Sequence, residues 1–204
     1  MKLKNILSLL VLLAFVLVSC GKTVNGEATT QNGTSQENTK PVVYMTKEIT
    51  PEALVRIYEA LGVVPSGKVA VKISTGEPGG KNFLQPSLIK NLVNKVNGTI
   101  VECNTAYKGP RFETVSHMKV FEHHGFTAIA PVDLLDGYGE VRIPVKDTTY
   151  IKYNIVGENM LNYDWMVNLA HFKGHAMGGF GGVLKNQLRP TCISSGRNDI
   201  LYWK

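Results

Sequence analysis

Cysteine is scarce in this chain of 204 residues: it occupies only positions 20, 103 and 192, and no CxxC pair occurs. A structural zinc ribbon needs four thiolate or imidazole ligands in paired spacing, and a ferredoxin-type cluster needs four thiolates, so the chain has no iron–sulfur or zinc-ribbon ligand set. A repeat of solenoid length is also missing, which sets aside stacked-repeat architectures. So is a concentrated basic stripe: the formal charge is +6, but its lysines and arginines are scattered, which argues against nucleic acid as a partner. The excess suits a solvated surface or an affinity for small anionic ligands.

The long apolar run lies at the start. "MKLKNILSLLVLLAFVLVSC" carries Lys2 and Lys4, an unbroken apolar stretch and then Leu17-Val18-Ser19-Cys20. It is too short to serve as a spanning helix and has the build of a secretory signal. Its ending resembles a bacterial lipobox, so residues 1–19 are expected to be removed and Cys20 acylated. That would tether the protein to a membrane of the bacterial cell envelope, on the extracytoplasmic side. Losing residues 1–19 removes two lysines and no acids, leaving 20 basic against 16 acidic residues, a formal +4. Residues 20–40 are mostly Gly, Asn, Thr, Gln and Ser and read as a flexible tether. Residues 41–204 suffice for one domain. Within it Cys103 and Cys192 either pair, in a compartment where disulfides persist, or remain as two buried thiols.

Helices and strands alternate along that domain. "TPEALVRIYEALG" offers Thr50 as N-cap, Pro51 in the first turn and Leu54, Ile57, Tyr58 and Leu61 at helical spacing before Gly62. "GKVAVKIST" sets Val69, Val71 and Ile73 against Lys68 and Lys72, which is strand periodicity. "PSLIKNLVNKV" is helical, "GTIVEC" is a strand, "ETVSHMKVFEHHG" is helical, and "TAIAPV" reads as a buried strand. "EVRIPV" and "YIKYNIV" suit a hairpin or sheet edge, and "YDWMVNLAHF" a final strand reaching His171. The expected class is α/β, with a largely parallel sheet and flanking helices. In such sheets ligands collect at the carboxyl ends of the strands, and three polar, glycine-bearing stretches fall there: "TGEPGGKN", "NTAYKGPR" and "HFKGHAMGGFGG".

"GEPGGKN" departs from a phosphate-binding P-loop: the spacing is one residue short, and Asn82 stands where a magnesium-binding hydroxyl belongs. A nucleoside triphosphatase is therefore rejected, and the loop reads as a turn whose N–H groups remain able to receive an anion. "NTAYKGPR" gathers Asn104, Thr105, Tyr107, Lys108 and Arg111, donors suited to a carboxylate or phosphate; a solvated loop turned by Gly109 and Pro110 explains them equally well. His117, His123 and His124 share a helix, but no carboxylate or cysteine completes a metal set there. They read as surface or helix-capping residues.

"HFKGHAMGGFGGVLKN", residues 171–186, holds two histidines, two lysines and five glycines in sixteen positions. On an extended strand, His171 follows Trp165, Val167 and Leu169 on one face and arrives at the strand mouth. The glycines permit close approach of a ligand to main-chain N–H groups. His171 and His175 are candidates to ligate a divalent metal or move protons. Lys173 and Lys185 are candidates to neutralise an anion or act as a base or Schiff-base amine. A glycine-rich turn facing water is the plainer alternative.

Taken as a set, "VECNTAYKGPR", "VSHMKVFEHHGF" and "VNLAHFKGHAMGGFGGVLKN" resemble the DUF362 family over roughly residues 65–186. The resemblance implies a family fold but no chemistry, since that family's activity is unsettled. Many of its members carry a ferredoxin-like cluster module, for which this chain lacks the cysteines. The histidine, Gly-Gly and lysine of residues 175–185 are also similar to the nickel-pincer-dependent lactate racemases. That likeness implies Lys185 as a cofactor attachment point and His171 or His175 as metal ligands or proton carriers. After Asn186 the chain departs from the family pattern, which implies a truncated domain with an incomplete sheet and an exposed edge. Three functions are compatible with these residues: an enzyme performing redox or proton-transfer chemistry on a small anionic substrate through His175 and Lys185; a non-catalytic ligand- or metal-binding lipoprotein; and a non-functional fragment.

Overall fold

The computed structural model describes residues 41–176 and 178–191; residues 1–40, on which the expected leader, the expected acylation at Cys20 and the expected tether fall, and Cys192 lie outside the described residues. Helix α1 (Pro51–Ala60) begins as the sequence predicts: Thr50 Oγ1 accepts from the Ala53 N–H at 3.1 Å and Pro51 occupies the first turn, where its missing N–H costs nothing. Strand β1 (Val69–Lys72), helix α2 (Pro86–Lys95), strand β2 (Gly98–Glu102), helix α3 (Thr114–His123) and strand β3 (Val132–Leu134) come next in alternation. They are succeeded by the antiparallel pair β4 (Glu140–Pro144) and β5 (Tyr153–Gly157), a 3₁₀ turn at Glu158–Asn162, and strand β6 (Trp165–Asn168). The last described elements are β7 (Lys173–His175), β8 (Gly179–Gly181) and helix α4 (Val183–Thr191). No helix among the described residues is long and apolar enough to cross a membrane.

Four strands form a parallel sheet in the order β3-β2-β1-β6. The α/β class expected from the sequence is the observed one. Val69, Val71, Ile73 and Ile100 point to one face, where Ile89, Leu92 and Val93 of α2 and Phe121 of α3 cover them and Leu54, Val55 and Tyr58 of α1 pack alongside. The opposite face is thinner: Ala70, Val101, Cys103 and Leu135 meet Met160, Tyr163 and Met166. A parallel sheet buried on both faces has no polar side, so β1 is buried at every position, including Lys72 at 1% exposure. Lys72 lies on the face opposite the valines, and the second layer covers that face too.

Two strand boundaries differ from the sequence expectation. In "TAIAPV" the first residues form a 3₁₀ turn, Phe126–Ala128, and β3 starts only after Pro131. That proline has no N–H to give a ladder, but its carbonyl accepts from Ile100 N at 2.9 Å and so hands the chain to the sheet. At the other edge, β6 stops at Asn168, and the last bond to β1 is Leu169 N–H to Lys72 O at 2.8 Å. His171 therefore lies beyond the strand. The chain then folds into a small hairpin: β7 pairs with β8, and Gly179 turns between them in the left-handed region (φ +66°).

Gly157 ends β5 where the chain presses against the loop after β3. A Cβ added there would sit 2.2 Å from the Leu135 carbonyl oxygen, which already accepts from Asn159 N at 3.0 Å. Gly157→Ala should lower the free energy of urea unfolding by roughly 1–3 kcal/mol, and an unchanged midpoint would mean that this contact relaxes freely.

Candidate functional site

β1 is followed on one side by β2 and β3 and is met on the other by β6, so the connections run in opposite directions from its carboxyl end. This is the place in an open parallel sheet where two loops part and leave a crevice. A cleft of about 500 Å³ lies there. Its walls are the loop after β1 (Ser74 to Leu84), Tyr107 and Arg111 after β2, and the segment after β6 with the β7–β8 hairpin and the start of α4.

Below the cleft is a buried polar network that the sequence did not single out. Glu102 ends β2 at 6% exposure, and its carboxylate is fully engaged. Oε2 accepts from the Thr75 N–H at 2.8 Å and the Thr75 hydroxyl at 2.7 Å and lies 3.2 Å from His117 Nε2; Oε1 accepts from Arg111 Nη1 at 3.3 Å. Burial alone would raise the Glu102 carboxyl. The His117 hydrogen bond and the charges of Lys72, His117 and Arg111 override it and hold the group well below the ordinary carboxylate range. Desolvation likewise works against the charge on Arg111, but Glu102, Glu77 and Tyr107 raise its affinity for the proton.

His117 is completely buried, which corrects the surface or capping role expected for it. Position, not composition, decides this. Helix α3 turns His117 inward under β2, where Nδ1 lies 3.2 Å from Asn104 Oδ1 and Nε2 3.1 Å from Thr75 Oγ1. Asn104 in turn donates to Thr114 Oγ1 at 3.0 Å, and its own N–H donates to Asp136. His124 stacks on Phe83 with centroids 4.1 Å apart, and its Nδ1 lies 2.8 Å from Thr75 O.

Lys72 enters from the β1 side. Its ammonium donates to Ile73 O and, at 3.1 Å, to Asn186 Oδ1, while Asn186 Nδ2 donates to Asn168 Oδ1 at 2.9 Å. These bonds fasten the first turns of α4 to the ends of β1 and β6. Lys185, one residue before Asn186, is thereby set beside the hairpin: a Cβ on Gly181 would lie 3.7 Å from Lys185 Cδ and 3.8 Å from His175 Cβ. In β7, residues 173 and 175 share a face, so Lys173 and His175 both line the cleft, while Phe172 and Phe180 are exposed 6.3 Å from each other.

Of the residues proposed from the sequence, Tyr107, Arg111, His171, Lys173, His175 and Lys185 all line this cleft. Asn104 and Lys108 do not: Asn104 is used inside the network, and Lys108 is exposed and outside the lining. The sequence reading missed Glu77, whose carboxylate receives Arg111 Nη2 and the Tyr107 hydroxyl, the latter at 2.7 Å. Gly76 makes that placement accessible, with φ +80° and only 2.8 Å from its missing Cβ to Phe83 Cβ. Glu102 is in phase with the buried Ile100 of β2, but that period alone does not tell an inward acid from a wetted one. No group of three or more His, Cys, Asp or Glu side chains gathers as a metal set among the described residues. His171 and His175 supply two imidazoles, one with Nδ1 3.4 Å from Asn82 O and the other accepting from the Gly178 N–H at 3.1 Å.

The Glu102 network predicts a pH effect with a definite sign. A carboxyl whose folded value lies below its unfolded one contributes stability that is complete above the ordinary value of 4.5 and is lost as pH falls below it. Urea unfolding measured between about pH 6 and pH 3 should show stability falling on the acid side, and Glu102→Gln should flatten that limb while lowering stability near neutrality. An acid limb identical in the variant would remove Glu102 as its source.

No curated protein and no solved structure matches the chain. A family model described as "Domain of unknown function (DUF362)" matches residues 69–200, a span that starts at β1, includes every residue of the cleft wall and continues past Asn186. The chain belongs to the DUF362 family.

Proposed function

We propose that the cleft between the carboxyl ends of β1 and β6 binds a small anionic ligand. One observation carries this reading: Lys81, Arg111, Lys173 and Lys185 line the cleft, and among the described lining residues Glu77 is the one acid. Arg111 is paired with Glu77 and Glu102, so the three lysines leave the rim of one small volume net positive, and an anion in their midst relieves their repulsion. The donors are also of two kinds. Arg111 is rigid and buried, whereas Lys173 and Lys81 are exposed and adaptable, an arrangement that anchors one end of a ligand and screens the other. If the leader and Cys20 behave as the sequence suggests, this binding would take place at an envelope membrane.

Catalysis on the bound anion is the second reading, favoured by the convergence of His175 and Lys185 on Gly181. An imidazole and an amine on one wall could give and take a proton at a ligand held by Arg111. Binding of substrate-sized anions without turnover or solvent-proton exchange would leave the first reading alone.

Calorimetric titration with inorganic phosphate and with succinate tests the proposal. Lys173→Ala and Lys185→Ala should each weaken binding by roughly fivefold, about 1 kcal/mol, and added salt should weaken it further. Binding that neither substitution alters, or no binding of either anion, would contradict it.

A further inference from the structure

The most deeply placed cation of the cleft is already paired, with a carboxylate from the cleft's own wall. The Arg111 side chain is 3% exposed and that of Glu77 50%. Arg111 Nη1 is held by Glu102 at 3.3 Å, and Nη2 donates to Glu77 and, at 2.8 Å, to the Tyr107 hydroxyl. Its Nε is buried and has no hydrogen-bond partner among the described residues. Nε and Nη2 form the side-on edge of a guanidinium, the edge that takes both oxygens of one carboxylate in a bidentate pair. Glu77 engages one half of it.

We propose that the Nε–Nη2 edge of Arg111 is the anchor for a carboxylate group of the ligand, and that Glu77 holds this place until the ligand's carboxylate exchanges with it. The inference rests on the reading of the cleft as an anion site and names the class of anion. Charge explains why exchange, and not simple opening, is the route. Lys72 and Arg111 are balanced by Glu102 and Glu77, and withdrawal of Glu77 alone would leave a buried cation uncompensated. An arriving carboxylate restores the balance and also satisfies Nε, which Glu77 does not. Tyr107 serves either occupant, because its hydroxyl accepts from Nη2 and donates to whichever carboxylate lies beside it. Glu77 is suited to leave. It lines the cleft half-exposed, in a segment where positions 76, 79 and 80 are glycine and carry no side chain to pin the loop. A dicarboxylate would then reach from Arg111 to the lysines of the hairpin and α4.

Succinate titrations of the wild-type chain, Glu77→Gln and Arg111→Lys decide the matter. Glu77→Gln removes the resident competitor and should raise succinate affinity about tenfold. Arg111→Lys keeps the charge but lacks the side-on edge; it should lower affinity, and Glu77→Gln added to it should restore nothing. Thermal melting of each variant confirms that folded protein is compared. If the wild-type chain binds succinate and Glu77→Gln binds it no more tightly, the exchange is overturned while the anion site stands. If neither form binds succinate or phosphate, both proposals fall together.

Discussion

A carboxylate held away from water stays ionised only where donors and opposite charge replace its hydration, and at Glu102 that requirement organises much of the molecule. Its two oxygens receive Thr75 from the loop after β1, His117 from α3 and Arg111 from the loop after β2. The loop after β1 and the loop and helix that follow β2 are thus referred to one point at the end of the central strands. Losing any one of them would leave buried polar groups unpaired, so the loops cannot shift independently. That rigidity is what a binding site built on loops needs and what loops on their own do not have.

Sheet topology and this network act on different parts of the cleft. Reversal of strand order around β1 opens the crevice between β1 and β6, and the parallel register brings the carboxyl ends of both strands to the same rim. The network then fixes the floor and the Arg111 side. The opposite side is held by a lighter chain of bonds, from Lys72 through Asn186 to Asn168, and carries the hairpin with Lys173 and His175. One wall is therefore built on the buried Arg111, and the other is exposed and rich in cations. On the proposed reading, a ligand is anchored at the first and neutralised at the second.

The sequence revealed the rim better than the floor. Tyr107, Arg111, His171, Lys173, His175 and Lys185 were recognisable because they lie in polar, glycine-bearing stretches immediately after apolar strands, and all six line the cleft. Lys72, Thr75, Glu102 and His117 escaped because each sits within or at the end of a segment whose pattern reads as ordinary strand or helix, and period alone does not say that a polar residue is turned inward. The α/β class was legible in the alternation of elements, whereas the end of β6 was not. Where a strand stops depends on where its neighbour leaves the sheet, and past Ile73, which still bonds Val101, the chain after β1 gives the Thr75 N–H to the Glu102 carboxylate. Glu77 was hidden differently: its loop invited comparison with phosphate-binding loops, which draws the eye to backbone N–H groups and away from the one acidic side chain.

The floor of the cleft and its anchoring wall both depend on Glu102 being ionised inside the protein, with Arg111 held against it. Carbon-13 NMR of the glutamate side-chain carboxyls, with Glu102 assigned by the Glu102→Gln spectrum, observes this state directly as acid is added. The Glu102 carboxyl carbon should keep its ionised shift as pH falls through 4.5, the ordinary value for this side chain. A Glu102 resonance that moves at that ordinary value, or at higher pH, would contradict an ionised Glu102 at the centre of the fold.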